Sequence, residues 1–336
     1  MDISELLDLA SAYWKSATLT AAVELDLFRH VRDPAAPASA AEIATALEAS
    51  PKYTTALLDA LAGIGILTKS AKAENETYSI PDSLRPYLDP ESPDSMLGAL
   101  RFNAAMVPLW GKLADCTRVG TPAIPPNAQL GSDPQRVAWF VHGMHSRARA
   151  LAPGILPHID LAGRTRLLDV AAGPGTFSAM MIEQQPEIHL TVFDLPAVSA
   201  VSQQIHGEGP VADRMTFVQG DYHSDPLPSG PFDAVLYCGA VHQEDETHTR
   251  EVLSKIHSVL EPGGRLFLVD LMLEADRTTP VFSALFEINM MLTNSMSHVH
   301  TVEGAMALVD GAGFGGVAAK DMTGTPYTLV TGVKPG

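Results

Sequence analysis

The chain has 336 residues, enough for about two domains that each bury a core of their own. Its composition, 46% hydrophobic and 18% charged without a long apolar run, is typical of a globular protein and argues against a membrane-spanning helix. The formal charge of −17 disfavours binding to nucleic acid or to an anionic membrane. The start lacks a secretory pattern, and Cys116 and Cys238 form no CxxC motif, so we expect a cytoplasmic protein without disulfides or structural zinc.

Helical periodicity dominates the first part of the chain. Apolar spacing predicts an amphipathic helix over residues 3–31 and shorter helices over 40–47 and 51–67. Ser50 as N-cap and Pro51 at the first helical position mark the start of the last of these. The segments ILTKS and YSI, separated by a polar stretch, predict a β-hairpin. Helix, helix and hairpin together outline a winged helix.

A winged helix suggests either DNA binding or subunit association. The candidate recognition helix, PKYTTALLDALAG, carries a single lysine, although phosphate contacts depend on Lys and Arg. We therefore favour a dimerisation domain over residues 1–92. Helices predicted over 93–118 and 134–152 form a connector over 93–160. Their large apolar side chains either pack in a core or line a ligand pocket: Met106, Trp110, Phe140 and Met144.

In the last domain, residues 161–336, short β-rich segments alternate with helical ones, a pattern typical of a parallel α/β sheet. Strands are predicted over 166–170, 189–195, 215–221, 232–241 and 265–273. A late antiparallel hairpin formed by VAAKDM and PYTLVTGV then predicts a doubly wound sheet with a reversed last strand.

The segment DVAAGPGTF follows the first of these strands. Gly173 and Gly175 allow the backbone to approach a ligand closely at the carboxyl end of a parallel strand. A dinucleotide fingerprint would need glycine in place of Ser178, and no GK[ST] sequence is present. Neither a nicotinamide site nor a P-loop is therefore predicted.

Acidic residues recur at successive strand ends. Asp194 is placed to accept hydrogen bonds from ribose hydroxyls, and Asp221, with Tyr222 beside it, from an adenine amino group. Each aspartate alone could be a helix cap or a turn residue. Their ordered recurrence, with Asp169 at the first strand, favours a nucleoside site.

Taken in order behind a winged helix, DVAAGPGTF, VFDLP, GDYHSDPLP, AVHQEDE, LEPGGRLFLVD and GAGF resemble the S-adenosylmethionine-dependent O-methyltransferases of the caffeate, acetylserotonin and antibiotic-tailoring type. The resemblance implies a Rossmann-like methyltransferase sheet, a homodimer, the donor S-adenosyl-L-methionine with S-adenosyl-L-homocysteine as product, and a small aromatic or polyketide-like acceptor. The donor site that it implies comprises Asp169, Gly173, Gly175, Asp194, Leu195, Asp221, Tyr222 and Cys238.

The same resemblance implies that His242 is the general base and that Asp270 orients it. A satisfied core histidine is the alternative, although the end of the fourth strand faces the same crevice as the glycine loop. The stretch 282–300 is rich in methionine and either walls an adaptable pocket or belongs to the core. The candidate acceptor contacts are Met106, Trp110, Phe140, Met144, Phe286, Met290 and Asn294.

The chain also departs from the family pattern. Ala171 stands where the family has the first loop glycine, Gln243 and Glu244 follow the base in place of Asp-Trp, and Val299 replaces a flanking glutamate. These departures leave two alternatives open: C- or N-methylation or a donor-assisted rearrangement on the same scaffold, and a winged-helix regulator that only binds the nucleoside. His298 and His300 are too few ligands for a metal site.

Overall fold

The structure is a computed structural model that describes residues 1–33, 35–70, 76–125 and 134–336. These residues divide into two compact units, Met1–Val107 and Pro108–Gly336. No helix in these ranges is both long and apolar enough to cross a membrane. The finer domain boundaries predicted at residues 92 and 160 stay a prediction.

The first unit combines helices with a small antiparallel sheet whose strand order is β1-β3-β2. The pairing of β2 with β3 confirms the predicted hairpin. Helix α6 contains the residue at which the second unit begins. The elements are α1 Ile3–Ser11, α2 Tyr13–Glu24, β1 Ala38–Ser39, α3 Ala40–Ala46, α4 Pro51–Gly63, β2 Thr68–Ser70, β3 Thr77–Ser79, α5 Arg85–Leu88 and α6 Leu97–Trp110.

Two long helices predicted in the first part of the sequence are interrupted. The helix expected over residues 3–31 is α1 and α2 followed by a 3-10 turn, and Asp26 lies in the left-handed region at φ +52° between α2 and that turn. The helix expected over 93–118 is two helices: the first ends at Trp110, and Gly111 and Lys112 separate it from the second. Apolar spacing alone does not reveal such local breaks.

The second unit is built on a seven-stranded sheet of order β6-β5-β4-β7-β8-β10-β9. Strands β4 to β8 pair in parallel, whereas β10 pairs antiparallel with both β8 and β9, which confirms the reversed last strand. The elements are α7 Leu113–Val119, α8 Pro134–Ile155, β4 Arg166–Val170, α9 Thr176–Glu183, β5 His189–Asp194, α10 Pro196–His206, β6 Met215–Gln219, β7 Phe232–Cys238, α11 Glu246–Val259, β8 Leu260–Asp270, α12 Val281–Met291, α13 Val302–Gly311, β9 Gly315–Asp321 and β10 Thr328–Val333.

Two cores cover opposite faces of this sheet. Side chains alternate between the faces along each strand, so Leu168 of β4 joins one core and Leu167 the other. The first core packs against α11 and α13, and the second packs against α9. Because both faces are buried, the strands are nearly continuous apolar runs, and their polar residues collect at the carboxyl ends. That edge of the sheet carries the candidate site.

Candidate active site

The loop between β4 and α9 has the left-handed backbone that its glycines allow. Gly173 and Gly175 have φ values of +57° and +67°, and Ala171 adopts +53° despite its side chain. The carbonyl of Pro174 accepts hydrogen bonds from the Ser202 hydroxyl and from Nε2 of His206, both at 2.8 Å. A methyl group added at Gly173 would meet nothing within 4 Å, so this backbone borders open space.

Asp194, at the end of β5, receives two backbone hydrogen bonds. The N–H of Gly173 donates to its Oδ2 at 2.6 Å, and the N–H of Leu195 donates to its Oδ1 at 2.7 Å. Burial raises the pKa of this carboxyl to about 6, against the lowering effect of the two N–H donors. The aspartate therefore ties the glycine loop to the neighbouring strand end while each oxygen retains a lone pair for a further donor.

A cavity opens beside the glycine loop and includes four side chains that matter for its chemistry: Asp169, Cys238, Arg147 and Tyr327. Oδ2 of Asp169 accepts from the Ser178 hydroxyl at 2.5 Å, whereas Oδ1 is buried without a partner among the residues that the structure describes. Burial raises the pKa of Asp169 to about 7. An unpaired buried carboxylate oxygen fits a cationic amino group, which would satisfy it.

Arg147 and Tyr327 were missed by the sequence reasoning. Burial raises the pKa of the Tyr327 hydroxyl to about 12, against the lowering effect of the Arg147 guanidinium beside it. Arg147 follows Met144, another cavity residue, by three positions on α8, and this helical spacing was the available signal. No local signal marks Tyr327, because the start of β10 reaches the cavity only when β10 pairs with β8 in the folded sheet. Together they offer a cationic and a hydroxyl donor for a carboxylate.

The loop after β6 carries the predicted adenine-side pair. Oδ1 of Asp221 accepts from the N–H of His223 at 2.9 Å. The Tyr222 hydroxyl donates to Oε1 of Glu244 at 2.6 Å, so its one hydrogen is committed to the protein and cannot be donated to an adenine. This tyrosine was predicted without its partner, because Glu244 lies on a different strand end.

His242 and Asp270 form a buried pair at neighbouring strand ends. Strand β7 ends at Cys238, earlier than predicted, and His242 lies on the 3-10 turn Val241–Gln243. Nδ1 of His242 lies 2.7 Å from Oδ1 of Asp270, and the backbone N–H of His242 donates to Oδ2 at 3.1 Å. Because a carboxylate can only accept, Nδ1 is the donor in this contact, and Nε2 is the ring nitrogen that the buried Asp270 does not engage.

Helix α12 packs an aromatic side chain against this histidine. The ring of Phe286 lies edge-on to His242 with 4.8 Å between centroids, and the Phe282 ring is stacked near it at 6.4 Å. Asn294 was predicted as a polar anchor for an acceptor. In the structure its amide donates to the Gln243 carbonyl at 2.9 Å and its Oδ1 accepts from the N–H of Met296, so it supports the turn that bears His242.

The other predicted acceptor residues lie in several places. Met144 lines the cavity, and Met290 of α12 is buried. The indole N–H of Trp110 donates to Oδ1 of Asn289 on α12 at 2.9 Å. Phe140 packs in a small cluster between α8 and α10, and Met106 belongs to the first unit. An acceptor role for these residues stays a prediction.

Comparison with known proteins places the chain in a family. Residues 116–315 match the O-methyltransferase domain, and residues 7–82 match the O-methyltransferase dimerisation domain. The 3-hydroxy-5-methyl-1-naphthoate 3-O-methyltransferase of Streptomyces sahachiroi is 30% identical over 85% of this chain and 82% of its own length. The tetracenomycin polyketide synthesis 8-O-methyl transferase of Streptomyces glaucescens is 26% identical over 98% and 96%.

A solved structure agrees over the whole fold. Human N-acetylserotonin methyltransferase in complex with S-adenosylmethionine superposes with a TM-score of 0.90 at 24% identity, covering 100% of this chain and 99% of that one. The chain therefore belongs to the S-adenosylmethionine-dependent O-methyltransferases and is a methyltransferase of the hydroxyl-acceptor type. Its cofactor is S-adenosylmethionine, and its dimerisation domain supports a homodimer.

Proposed function

We propose that this enzyme methylates a hydroxyl group on a small aromatic or polyketide-like molecule and that His242 is its general base. The buried His242–Asp270 pair carries the proposal, because it leaves Nε2 as the free basic atom at the carboxyl edge of the sheet. The two Streptomyces relatives act, by their names, on a naphthoate and in tetracenomycin polyketide synthesis, which supports the acceptor class.

The donor would be held by complementary charge along the strand ends. Asp169 offers an unpaired oxygen for its amino group, Arg147 and Tyr327 offer donors for its carboxylate, and Asp194 offers lone pairs for its ribose. When bound, S-adenosylmethionine supplies a methyl carbon activated by a sulfonium. The protein itself must bring the acceptor oxygen into line with that carbon, and such positioning lowers a barrier by about 7 to 11 kcal/mol.

A base is useful because the acceptor hydroxyl is protonated at neutral pH. A phenol with a pKa of about 10 is ionised to roughly 0.1% at pH 7, so forming the phenolate costs about 4 kcal/mol. Nε2 of His242 would accept this proton. Asp270 holds the ring in the required tautomer through Nδ1 and stabilises the imidazolium that forms.

The surroundings of His242 favour a flat apolar acceptor. Phe286 of α12 lies against the histidine ring, Phe282 stacks near Phe286, and the same helix carries Met290. A ring system can stack on such side chains, and methionine adapts to its outline. Two polar residues near His242, Asn294 and Asp270, are already engaged with the protein.

The test is His242→Ala, assayed with a 1-naphthol or hydroxynaphthoate acceptor and with S-adenosylhomocysteine binding measured in parallel. We expect the affinity for S-adenosylhomocysteine to be retained and turnover to fall by about 100-fold or more, the usual contribution of a positioned base. Asp270→Asn should also lower turnover. Unchanged turnover in His242→Ala would refute the base assignment, and methyl transfer to carbon or nitrogen would refute the hydroxyl acceptor.

A further inference from the structure

Glu244, two residues after His242, is a buried carboxylate in an unusual position. It directly follows the 3-10 turn that carries the histidine, and it is 1% exposed. Burying a carboxylate is costly unless its oxygens are paired. Oε1 accepts from Tyr222 at 2.6 Å and lies 3.2 Å from Nε2 of His223, but Oε2 has no partner within the described ranges.

Stability alone does not account for this residue. An apolar side chain of similar size would avoid the cost of the unpaired oxygen, and replacing buried charged groups by apolar ones is often neutral or stabilising. The carboxylate therefore calls for a role that an apolar side chain cannot supply.

The partners of Glu244 belong to the loop that begins with Asp221. Burial raises the pKa of the Tyr222 hydroxyl far above its ordinary value, so the hydroxyl stays protonated and remains a donor to Glu244. From the other side, Nζ of Lys255 donates to the carbonyls of Tyr222 and His223 at 2.6 and 3.1 Å. The loop is thus held between α11 and Glu244.

The hydrogen bond joins the two halves of the reaction site within one buried contact. Asp221 is adjacent to Tyr222, and His242 is separated from Glu244 by one residue. We propose that Glu244 is a positioning residue, acting through Tyr222, that couples occupation of the adenine side of the donor site to the placement of the His242 turn. This inference rests on the proposed role of His242 as the base.

Coupling of this kind is reciprocal and measurable without turnover. We expect S-adenosylhomocysteine binding to the parent protein to change the imidazole NMR signals of His242, which are assigned by their absence from His242→Ala. In Tyr222→Phe, which removes only the donor hydroxyl, that change is lost and the affinity for S-adenosylhomocysteine falls about tenfold, within the range measured for contacting residues. Glu244→Gln keeps an acceptor oxygen for Tyr222 and retains the response.

A matched control is available in the first unit. Tyr78→Phe also removes a buried tyrosine hydroxyl, which donates to a carboxylate oxygen of Asp59 at 2.7 Å. Tyr78→Phe is expected to lower Tm about as much as Tyr222→Phe does. The His242 response and the affinity for S-adenosylhomocysteine should stay as in the parent. We expect the affinity of the double variant, Tyr222→Phe with Glu244→Leu, for S-adenosylhomocysteine to be no lower than that of the weaker-binding single variant.

Two results would overturn the inference. One is a Tyr222→Phe variant whose loss of Tm matches that of Tyr78→Phe but whose His242 response is intact. The other is a double variant whose loss of affinity for S-adenosylhomocysteine equals the sum of the losses in the two single variants. Because the NMR response does not depend on turnover, failure of the base assignment in the His242→Ala assay is distinguishable from failure of this coupling.

Discussion

Asp169 illustrates how a residue that is unfavourable for folding can serve the donor binding that we propose. Its carboxyl is 3% exposed and, among the residues that the structure describes, has a single hydrogen bond, from Ser178. Burial first, and the nearby Asp194 to a smaller extent, raise its pKa from 3.8 to about 7, while Ser178 opposes the shift. A cationic amino group bound at Oδ1 would lower the pKa of Asp169 again, because it favours the ionised form.

We expect Asp169 to contribute a loss of stability to the donor-free protein as the pH rises from about 4 to about 7. Asp169 titrates near its ordinary pKa of 3.8 when unfolded but at about 7 when folded. Between these values the native state holds a proton that the unfolded state has released, so rising pH favours unfolding. Asp194, with a pKa raised to about 6, contributes in the same direction.

The check is the midpoint of urea unfolding between pH 4 and pH 8. Asp169→Asn removes this titrating group and should therefore remove the part of the slope that Asp169 contributes. Asp82→Asn is the control, since its side chain is 91% exposed, and it should leave the slope as in the parent. A slope that Asp169→Asn does not reduce would contradict the expected cost of burying this carboxyl.

Among the elements, α11 supports the loop that carries Asp221. Lys255 reaches from this helix to the carbonyls of Tyr222, His223 and Asp225, at 2.6, 3.1 and 3.1 Å. A single ammonium group thereby satisfies three carbonyls of a loop that has no regular structure of its own. The loop carrying Asp221 is therefore positioned by a helix on which no donor contact was predicted.

Lys255→Met is expected to weaken S-adenosylhomocysteine binding by about tenfold or more, because hydrogen bonds from a charged donor contribute about 1.5 to 3 kcal/mol. Lys334→Met is the matched control. Nζ of Lys334 donates to the carbonyls of His257, in the last turn of the same helix, and of Leu260, at the start of β8, both at 2.8 Å.

Calorimetric titration with S-adenosylhomocysteine separates the two lysines. The control should lower Tm and leave the affinity close to that of the parent, because its carbonyl partners lie at the end of α11 and the start of β8. Equal affinities in Lys255→Met and the parent would show that the Asp221 loop keeps its position without the ammonium group.

At the scale of the whole molecule, the apolar residues of α1 are left uncovered in a single chain. Ile3, Leu6 and Leu7 are 71%, 51% and 63% exposed, and the helix begins with a capping box formed by Asp2 and Glu5. A well-capped helix with an exposed apolar face is typical of an association surface. The match of residues 7–82 to the O-methyltransferase dimerisation domain agrees with this interpretation.

Leu7→Glu is therefore expected to raise the dissociation constant of the homodimer by about tenfold or more, since it places a charge in an apolar contact. Val119→Glu is the control, because Val119 is 69% exposed on α7 of the second unit. Sedimentation at several concentrations measures the effect. A parent-like dimer in Leu7→Glu would exclude α1 from the interface.

The amino-acid sequence by itself determined the order of the strands, the glycine loop and the acidic strand ends. These follow from local rules: short, nearly continuous apolar runs form strands buried on both faces, and glycines allow the left-handed backbone at residues 173 and 175. The ordered motifs were also sufficient to predict the methyltransferase family and its cofactor, both of which the comparisons confirm.

The tertiary structure alone decided the partners of the side chains. Asn294, predicted to contact an acceptor, supports the Gln243 carbonyl, and Tyr222 donates to Glu244 across the site. Tyr327 reaches the cavity because β10 is inserted beside β8. Such contacts join residues far apart in the chain. Hydrogen bonding and burial in the folded protein determine them, so local sequence spacing does not predict them.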